Sequence, residues 1–270
     1  MKVFVTGGTG YIGRSVVPAL VRAGHEVTAL TRSDKSAELV KDLGGTPVRG
    51  TITGTEVLRE AAKAAGAAIH LAQDFDGDTP AIDRAAAQAM QQGAEVYVHS
   101  GGTWVYGDTD GVATESSPYN PPGIVAWRLD NEKEVRARGG VVVVPGLVYG
   151  RGEGLIETFY ASKDVVPYIG DGENHWDLVH VDDIADLYVR ALNAAKGSVY
   201  IGVNEARPTA RQVSEVLAKG KQTRSITIEE ARQEMGPIAD AFALDQQLSS
   251  AKARDELGWR PRHTDPLNEL

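Results

Sequence analysis

Three glycines at three-residue spacing, Gly7, Gly10 and Gly13, follow the short apolar run Val3-Phe4-Val5 and precede a helical pattern over residues 15–23. A buried strand turning through glycines into a helix brings backbone N–H groups at the helix N-terminus to a phosphate. In that reading Gly7 permits the tight turn, Gly10 lets a pyrophosphate approach the backbone, and Gly13 lets the helix pack against the strand. The chemistry expected of the first thirteen residues is therefore dinucleotide binding. Which dinucleotide depends on the end of the next strand, residues 25–30. An acidic residue there would bind the adenosine ribose hydroxyls and repel a 2′-phosphate. This chain has Thr31-Arg32-Ser33-Asp34-Lys35 instead. A neutral Thr31 beside a planar, permanently charged Arg32 favours NADP over NAD, with NAD admitted because Asp34 is near enough to take the carboxylate's place.

These residues need elements to hold them. Strand and helix signals alternate through the first two thirds of the chain, which predicts a parallel sheet covered on both faces. Helices are expected over 36–43, 55–65 (with Thr53 or Thr55 as N-cap), up to 92, and over 124–138. Strands are expected at 46–50, 67–73, from 95 and at 141–145. The fold class is α/β, a doubly wound Rossmann-type parallel sheet with a small C-terminal α/β substrate lobe. Residues 1–150 form the dinucleotide-binding core. Residues 151–270 complete that core (about 177–202) and build the lobe, with a strand at 198–202, a helix over 209–218 begun by Thr209, a strand at 225–228 and a helix over 229–235.

The segment Thr6-Gly-Gly-Thr-Gly-Tyr-Ile-Gly13 resembles the cofactor fingerprint of the short-chain dehydrogenase/reductase superfamily, in its extended, epimerase/dehydratase-like branch. Further motifs carry the resemblance along the chain. They are His70-Leu-Ala72, the Val105-Tyr-Gly107 exit from the fifth strand, Pro145-Gly-Leu-Val-Tyr-Gly150, Val179-His-Val181 and the closing Leu257-Gly-Trp-Arg-Pro261. The resemblance implies that Gly7, Thr9, Gly10, Tyr11, Ile12 and Gly13 hold the pyrophosphate. It places Thr31, Arg32 and Thr51 at the adenosine end, and Leu71, Ala72, Gln73 and Ser100 along the ribose. Pro145 and Gly146 run beside the nicotinamide. His70, His180 and Asp183 are expected to be structural, with Asp182 or Asp183 capping a helix over 184–194. Gly258 should stop the last helix and Trp259 should pack. The acidic loop 74–78 is expected either to border the substrate cleft or to be a solvated loop.

Members of that superfamily carry a Tyr-x-x-x-Lys pair on the helix after the fifth strand. Residues four apart share a helix face, so the ammonium lowers the phenol's pKa and the tyrosinate exchanges a proton with the substrate alcohol. No tyrosine stands between Tyr119 and Tyr149 here. Counting from Val105-Tyr-Gly107 puts the tyrosine position near Ala126 or Trp127 and the lysine position near Asp130 or Asn131. A frame anchored on Glu132 gives Ile124 and Arg128. The usual serine falls on or beside Gly102, so Ser100 and Thr103 are the nearest hydroxyls.

Without that relay, reversible alcohol oxidation is disfavoured, and with it sugar-nucleotide epimerisation or dehydration. A quinone or conjugated polycyclic ketone suits the remaining residues better, because hydride addition gives a delocalised oxyanion that water or a hydroxyl can protonate. A hydroquinone product would react with oxygen. The candidates for the catalytic group are Thr103, Tyr106 and Arg128, and Trp104, Trp127, Tyr149, His175 and Trp176 are the expected substrate contacts. The expected activity is NAD(P)H-dependent hydride transfer to a small carbonyl or quinone-type compound. A sugar-nucleotide epimerase/dehydratase and a non-catalytic NAD(P) sensor are the alternatives.

Composition narrows the partners. The 270 residues carry a formal charge of −9 and no cysteine. That excludes disulfides and thiolate chemistry and argues against nucleic acid. The six histidines show no metal-binding spacing, so no metal is expected. No apolar run is long enough to span a membrane and no leader-like segment is evident, so a cytoplasmic protein is expected. Its partner is a small molecule, as a monomer or homodimer.

Overall fold

A computed structural model describes residues 1–74, 76–161 and 163–270, with the backbone alone for Ala161. The strands are β1 (Lys2–Thr6), β2 (Glu26–Thr31), β3 (Thr46–Arg49), β4 (Gly66–His70), β5 (Val96–Ser100), β6 (Val141–Pro145), β7 (Leu147–Tyr149), β8 (Val165–Ile169), β9 (Leu178–His180), β10 (Val199–Gly202) and β11 (Gln222–Ile226). The main helices are α1 (Gly13–Arg22), α2 (Asp34–Asp42), α3 (Thr55–Ala65), α4 (Thr79–Gly93), α5 (Arg128–Ala137), α6 (Val181–Ala191), α7 (Ala210–Ala218) and α8 (Ile228–Met235). Among the described residues, seven strands form one parallel sheet in the order β10-β6-β5-β4-β1-β2-β3. The order reverses between β1 and β4, which opens a crevice at their C-terminal ends.

A sheet covered on both faces needs strands apolar on both faces. Val141 to Pro145 is accordingly buried at every position. Val3 and Val5 face α1 and α6 through Val16, Val17, Leu20, Ile184 and Leu187. Phe4 points to the other face, where Leu58, Ala62, Met90 and Val135 of α3, α4 and α5 close the second core. The lobe has its own core, built on the parallel pairs β8–β11 and β7–β9 with α7 and α8. The end of the chain returns to the main domain. Gly258, at φ +63°, ends the helix Ala251–Leu257, and Trp259 is fully buried with Nε1 donating to Asp183 O at 2.9 Å.

Several local expectations are corrected. The N-cap of α3 is Gly54, with no side-chain cap, because Thr51 and Thr53 hydrogen-bond to each other at 3.0 Å. The N-cap of α6 is His180, whose Nδ1 accepts from Asp182 N–H. Asp183 is instead held by the N–H groups of Arg262 and His263. Helix α5 begins at Arg128, not at 124; residues 123–127 form a turn. Thr209 does begin α7, in a reciprocal capping box with Gln212. In the acidic loop Phe75 lies outside the described residues, while Asp78 caps α4 through Ala81 N–H.

Candidate active site

The glycine turn joins β1 to α1 at the reversal point of the sheet. Gly7 takes φ +73°, and a Cβ there would stand 2.7 Å from Ala72 N. A Cβ on Gly13 would stand 2.0 Å from Gly7 O. Neither distance is tolerable, so glycine is required at both positions. Gly10 N–H closes the turn on Gly7 O at 2.9 Å. Helix α1 has no side-chain cap, and no acceptor among the described residues meets the N–H groups of Tyr11, Ile12 and Gly13. Three unpaired donors at the positive end of a helix form an anion site. A dinucleotide's pyrophosphate therefore fits the residues present. Tyr11 lies across this turn, its hydroxyl donating to Gly150 O at 2.8 Å, and Arg14 pairs with Glu153.

At the adenosine end the picture differs in part from expectation. Thr31 is 2 % exposed and its hydroxyl donates to Val48 O at 3.3 Å, so its side chain faces the sheet and not a ribose. Arg32 is exposed and makes no ion pair among the described residues. Asp34 is the first residue of α2 and pairs with Arg49 at 3.0 Å. Thr51 is exposed.

Beyond the glycine turn lies a cavity of about 300 Å³. Gly101, Gly102, Thr103 and Trp104 come from the exit of β5, and Ile124, Val125, Trp127 and Arg128 from the turn leading into α5. Pro145 to Val148 supply the floor between β6 and β7, with Tyr11, Ile12 and Gln73 on one side and Leu155 and Ile238 from the lobe on the other. Thr103, Trp104, Trp127, Arg128, Gln73, Pro145 and Gly146 thus meet around one space. Arg128 is the charged residue of this lining. Its Nη1 donates to Ser100 O at 3.3 Å and its Nη2 to Gln73 Oε1 at 3.0 Å, with the guanidinium 4.8 Å from the Trp127 ring centre. Ser100 Oγ is engaged with the Tyr188 hydroxyl at 2.6 Å.

Four expected residues stand elsewhere. Tyr106 is 2 % exposed and packs on Tyr119 with ring centres 5.0 Å apart; its hydroxyl has no partner and burial pushes its pKa far up. Tyr149 is fully buried, its hydroxyl donating to Glu269 at 2.8 Å. Trp176 belongs to the lobe core, with Nε1 donating to Phe242 O at 3.0 Å. His175 is tied to Asp245 through both its backbone N–H and Nδ1, each at 2.8 Å. None of the four lines the cavity.

Two carboxyls are buried in a way their sequence positions do not show. Glu132, in the charge-rich helix α5, is almost fully buried, and burial pushes its pKa up to about 7. It packs against Gly101, where a Cβ would stand 2.8 Å from its Oε1. Asp177, beneath Trp104, is buried and pushed up to about 8, with Leu248 N–H donating to it. Of Ala126 and Trp127, the candidates for the tyrosine position, Trp127 lines the cavity. Asn131, with Asp130 a candidate for the lysine position, is buried and donates to Asp83 Oδ2 at 2.9 Å.

The profile of the NAD dependent epimerase/dehydratase family matches residues 3–202. An uncharacterised protein of Saccharomyces cerevisiae is 30% identical over all of this chain and 98% of its own length. The oxidase ucsJ of an Acremonium species is 25% identical over all of this chain and 95% of its own. Among solved structures, the Thermus thermophilus UDP-glucose 4-epimerase in complex with NAD superposes with a TM-score of 0.79 at 22% identity, covering 100% of this chain and 97% of that one. The glycine turn, the strand order and the extent of these matches agree, and the chain belongs to the NAD dependent epimerase/dehydratase family.

Proposed function

We propose that this chain is an NAD(P)H-dependent oxidoreductase acting on a small, flat carbonyl or quinone-type compound. The observation that carries the reading is the lining of the 300 Å³ cavity: mostly aliphatic and aromatic side chains and glycines, with Gln73 and Thr103 as uncharged polar residues and Arg128 as the charged one. A sugar nucleotide presents many hydroxyls and a diphosphate, and leaving them unpaired against such walls is costly. An aromatic ring system loses little on entering. Trp104 and Trp127 offer faces for stacking, and similarity to a protein named as an oxidase points the same way.

The glycine turn and the donors of Tyr11, Ile12 and Gly13 would hold the pyrophosphate, and Gln73, Pro145 and Gly146 would border the nicotinamide. The chemistry supplied by a nicotinamide cofactor bound here is hydride delivery to an electron-poor carbon. The protein's part is to stabilise the oxyanion that develops on the substrate oxygen. Arg128, already fixed by Ser100 and Gln73, presents a permanent cation to the cavity at no reorganisation cost. Thr103 supplies a hydroxyl on the same wall, and the remaining proton comes from water. A delocalised quinol anion tolerates this arrangement because its proton need not arrive in step with hydride.

The reduced cofactor is read as NADPH. Arg32, just after β2, makes no ion pair among the described residues, and the nearby carboxylate, Asp34, is engaged by Arg49. Fluorescence titration tests both levels. NADPH should bind at least tenfold more tightly than NADH, with the preference lost in Arg32→Glu. Oxidation of bound NADPH on adding a naphthoquinone should follow. Tight binding of both redox forms without turnover would favour a sensor, and conversion of UDP-glucose would favour an epimerase.

A further inference from the structure

Beneath the Arg128–Gln73 contact, β4 and β5 place His70 and His99 opposite each other in register. Both rings are 1 % exposed. The outer nitrogen of each is engaged: His70 Nδ1 lies 2.6 Å from Thr6 Oγ1, and His99 Nδ1 lies 3.0 Å from the Tyr97 hydroxyl. With Nδ1–H donating to those oxygens, each Nε2 presents a lone pair inward. Both face the Asp83 carboxylate of α4, with His70 Nε2 at 3.4 Å from Oδ1 and His99 Nε2 at 3.6 Å from Oδ2. Such separations are long for hydrogen bonds, and His70 Nε2 is a buried nitrogen with no hydrogen-bond partner among the described residues. The three ligand atoms lie within 4.8 Å of one another. Beside them is a small cavity of about 40 Å³, lined by His70, Asp83, Ser100 and Arg128.

We propose that His70, Asp83 and His99 form a binding site for one divalent transition-metal ion of the zinc type, with its fourth position open to the small cavity. Zinc–nitrogen and zinc–oxygen bonds of about 2.0–2.2 Å set ligand atoms roughly 3.3–3.6 Å apart in a tetrahedron. His70 Nε2 at 3.4 Å from Oδ1 and His99 Nε2 at 3.6 Å from Oδ2 fall at that edge length, each nitrogen facing its own oxygen of the Asp83 carboxylate. Two imidazoles and a carboxylate, with no thiolate, suit Zn²⁺, Co²⁺ or Fe²⁺. The outer groups are those a metal site needs: Thr6 and Tyr97 fix the two imidazole tautomers, and Asn131 orients the carboxylate. The cavity is large enough for a water in the fourth position. Ser100 and Arg128, which line it, also contact each other at the entrance to the larger cleft. The spacing of these histidines in sequence carries no signal, because strand pairing brings them together.

The test uses the full chain, stripped with a chelator and titrated with Co²⁺. One equivalent should bind per chain, with the visible absorption of four-coordinate cobalt, and added Zn²⁺ should displace it. His70→Gln, His99→Gln and Asp83→Asn should each abolish the band, while Thr6→Val should weaken binding about 10–100-fold. Circular dichroism and dinucleotide binding report whether each variant is folded. If the ligand variants misfold, the wild-type titration and Thr6→Val decide the matter. Absence of the cobalt band in the wild type, or the same band and affinity in a folded His70→Gln or in Thr6→Val, would overturn the proposal.

Discussion

Arg128 is the charged side chain of the cavity lining, and the proposed reaction rests on it. Its guanidinium is anchored by Ser100 O and Gln73 yet faces the apolar cavity. Arg128→Met should lower kcat/KM for a quinone about 100-fold, or about 2.7 kcal/mol, while the NADPH dissociation constant moves less than threefold. Equal losses in both would assign Arg128 to cofactor binding alone. Asp177 gives a second prediction, on stability. Burial raises its folded-state pKa to about 8 against an ordinary carboxylate value near 4. Between those values the unfolded chain has released the proton that the folded chain keeps, so this group lowers stability as pH rises from about 4 to 8, by at most about 1.4 kcal/mol per pH unit. Asp177→Asn keeps the acceptor for Leu248 N–H and should flatten that fall in denaturant titrations. An unchanged slope would show that Asp177 is not the source. Little of this was legible in sequence: Asp177 and Glu132 are ordinary acids until packing removes their water. The aromatic residues Tyr149 and Trp176 looked like cleft residues because residue type does not say which side of a turn a ring occupies.

At the scale of elements, the glycine turn was legible because backbone geometry alone dictates its residues. Gly13→Ala would set a methyl 2.0 Å from Gly7 O, forcing α1 off β1. Dinucleotide affinity should fall at least 100-fold with the secondary structure retained; unchanged affinity would mean the turn does not hold the pyrophosphate. The strands were legible from their valine runs, and the β11–β8 pairing was not, since nothing in either strand names its partner. The start of α5 was placed four residues early because residues 124–127 contain no glycine or proline to mark the break. Their turn conformation is what delivers Ile124, Val125 and Trp127 to the cavity wall. Ile124 and Val125 read as core in any sequence, whereas Trp127 was expected as a substrate contact and does line the cavity.

For the whole molecule, the C-terminal segment fastens lobe and core. Trp259 is fully buried against α6 and hydrogen-bonded to it, and Tyr149 reaches Glu269 near the chain's end. Trp259→Ala should cost about 3–5 kcal/mol and lower the melting temperature on the order of 10 °C; a smaller shift would mean the segment is dispensable. The alternation of strands and helices announced the doubly wound sheet, and none of the described helices is long and apolar enough to cross a membrane. The order of strands opens the crevice, the glycine turn fits a pyrophosphate, and an apolar cavity lies beside it, which the proposed function assigns to a flat acceptor. The most direct test of that account is anaerobic oxidation of NADPH by the purified chain across a panel of naphthoquinones and polycyclic ketones, with UDP-glucose alongside. Stoichiometric NADPH consumption with at least one flat acceptor and no change in the sugar nucleotide is the predicted result. Confirmed NADPH binding with no oxidation by any acceptor, or epimerisation of UDP-glucose, would contradict it.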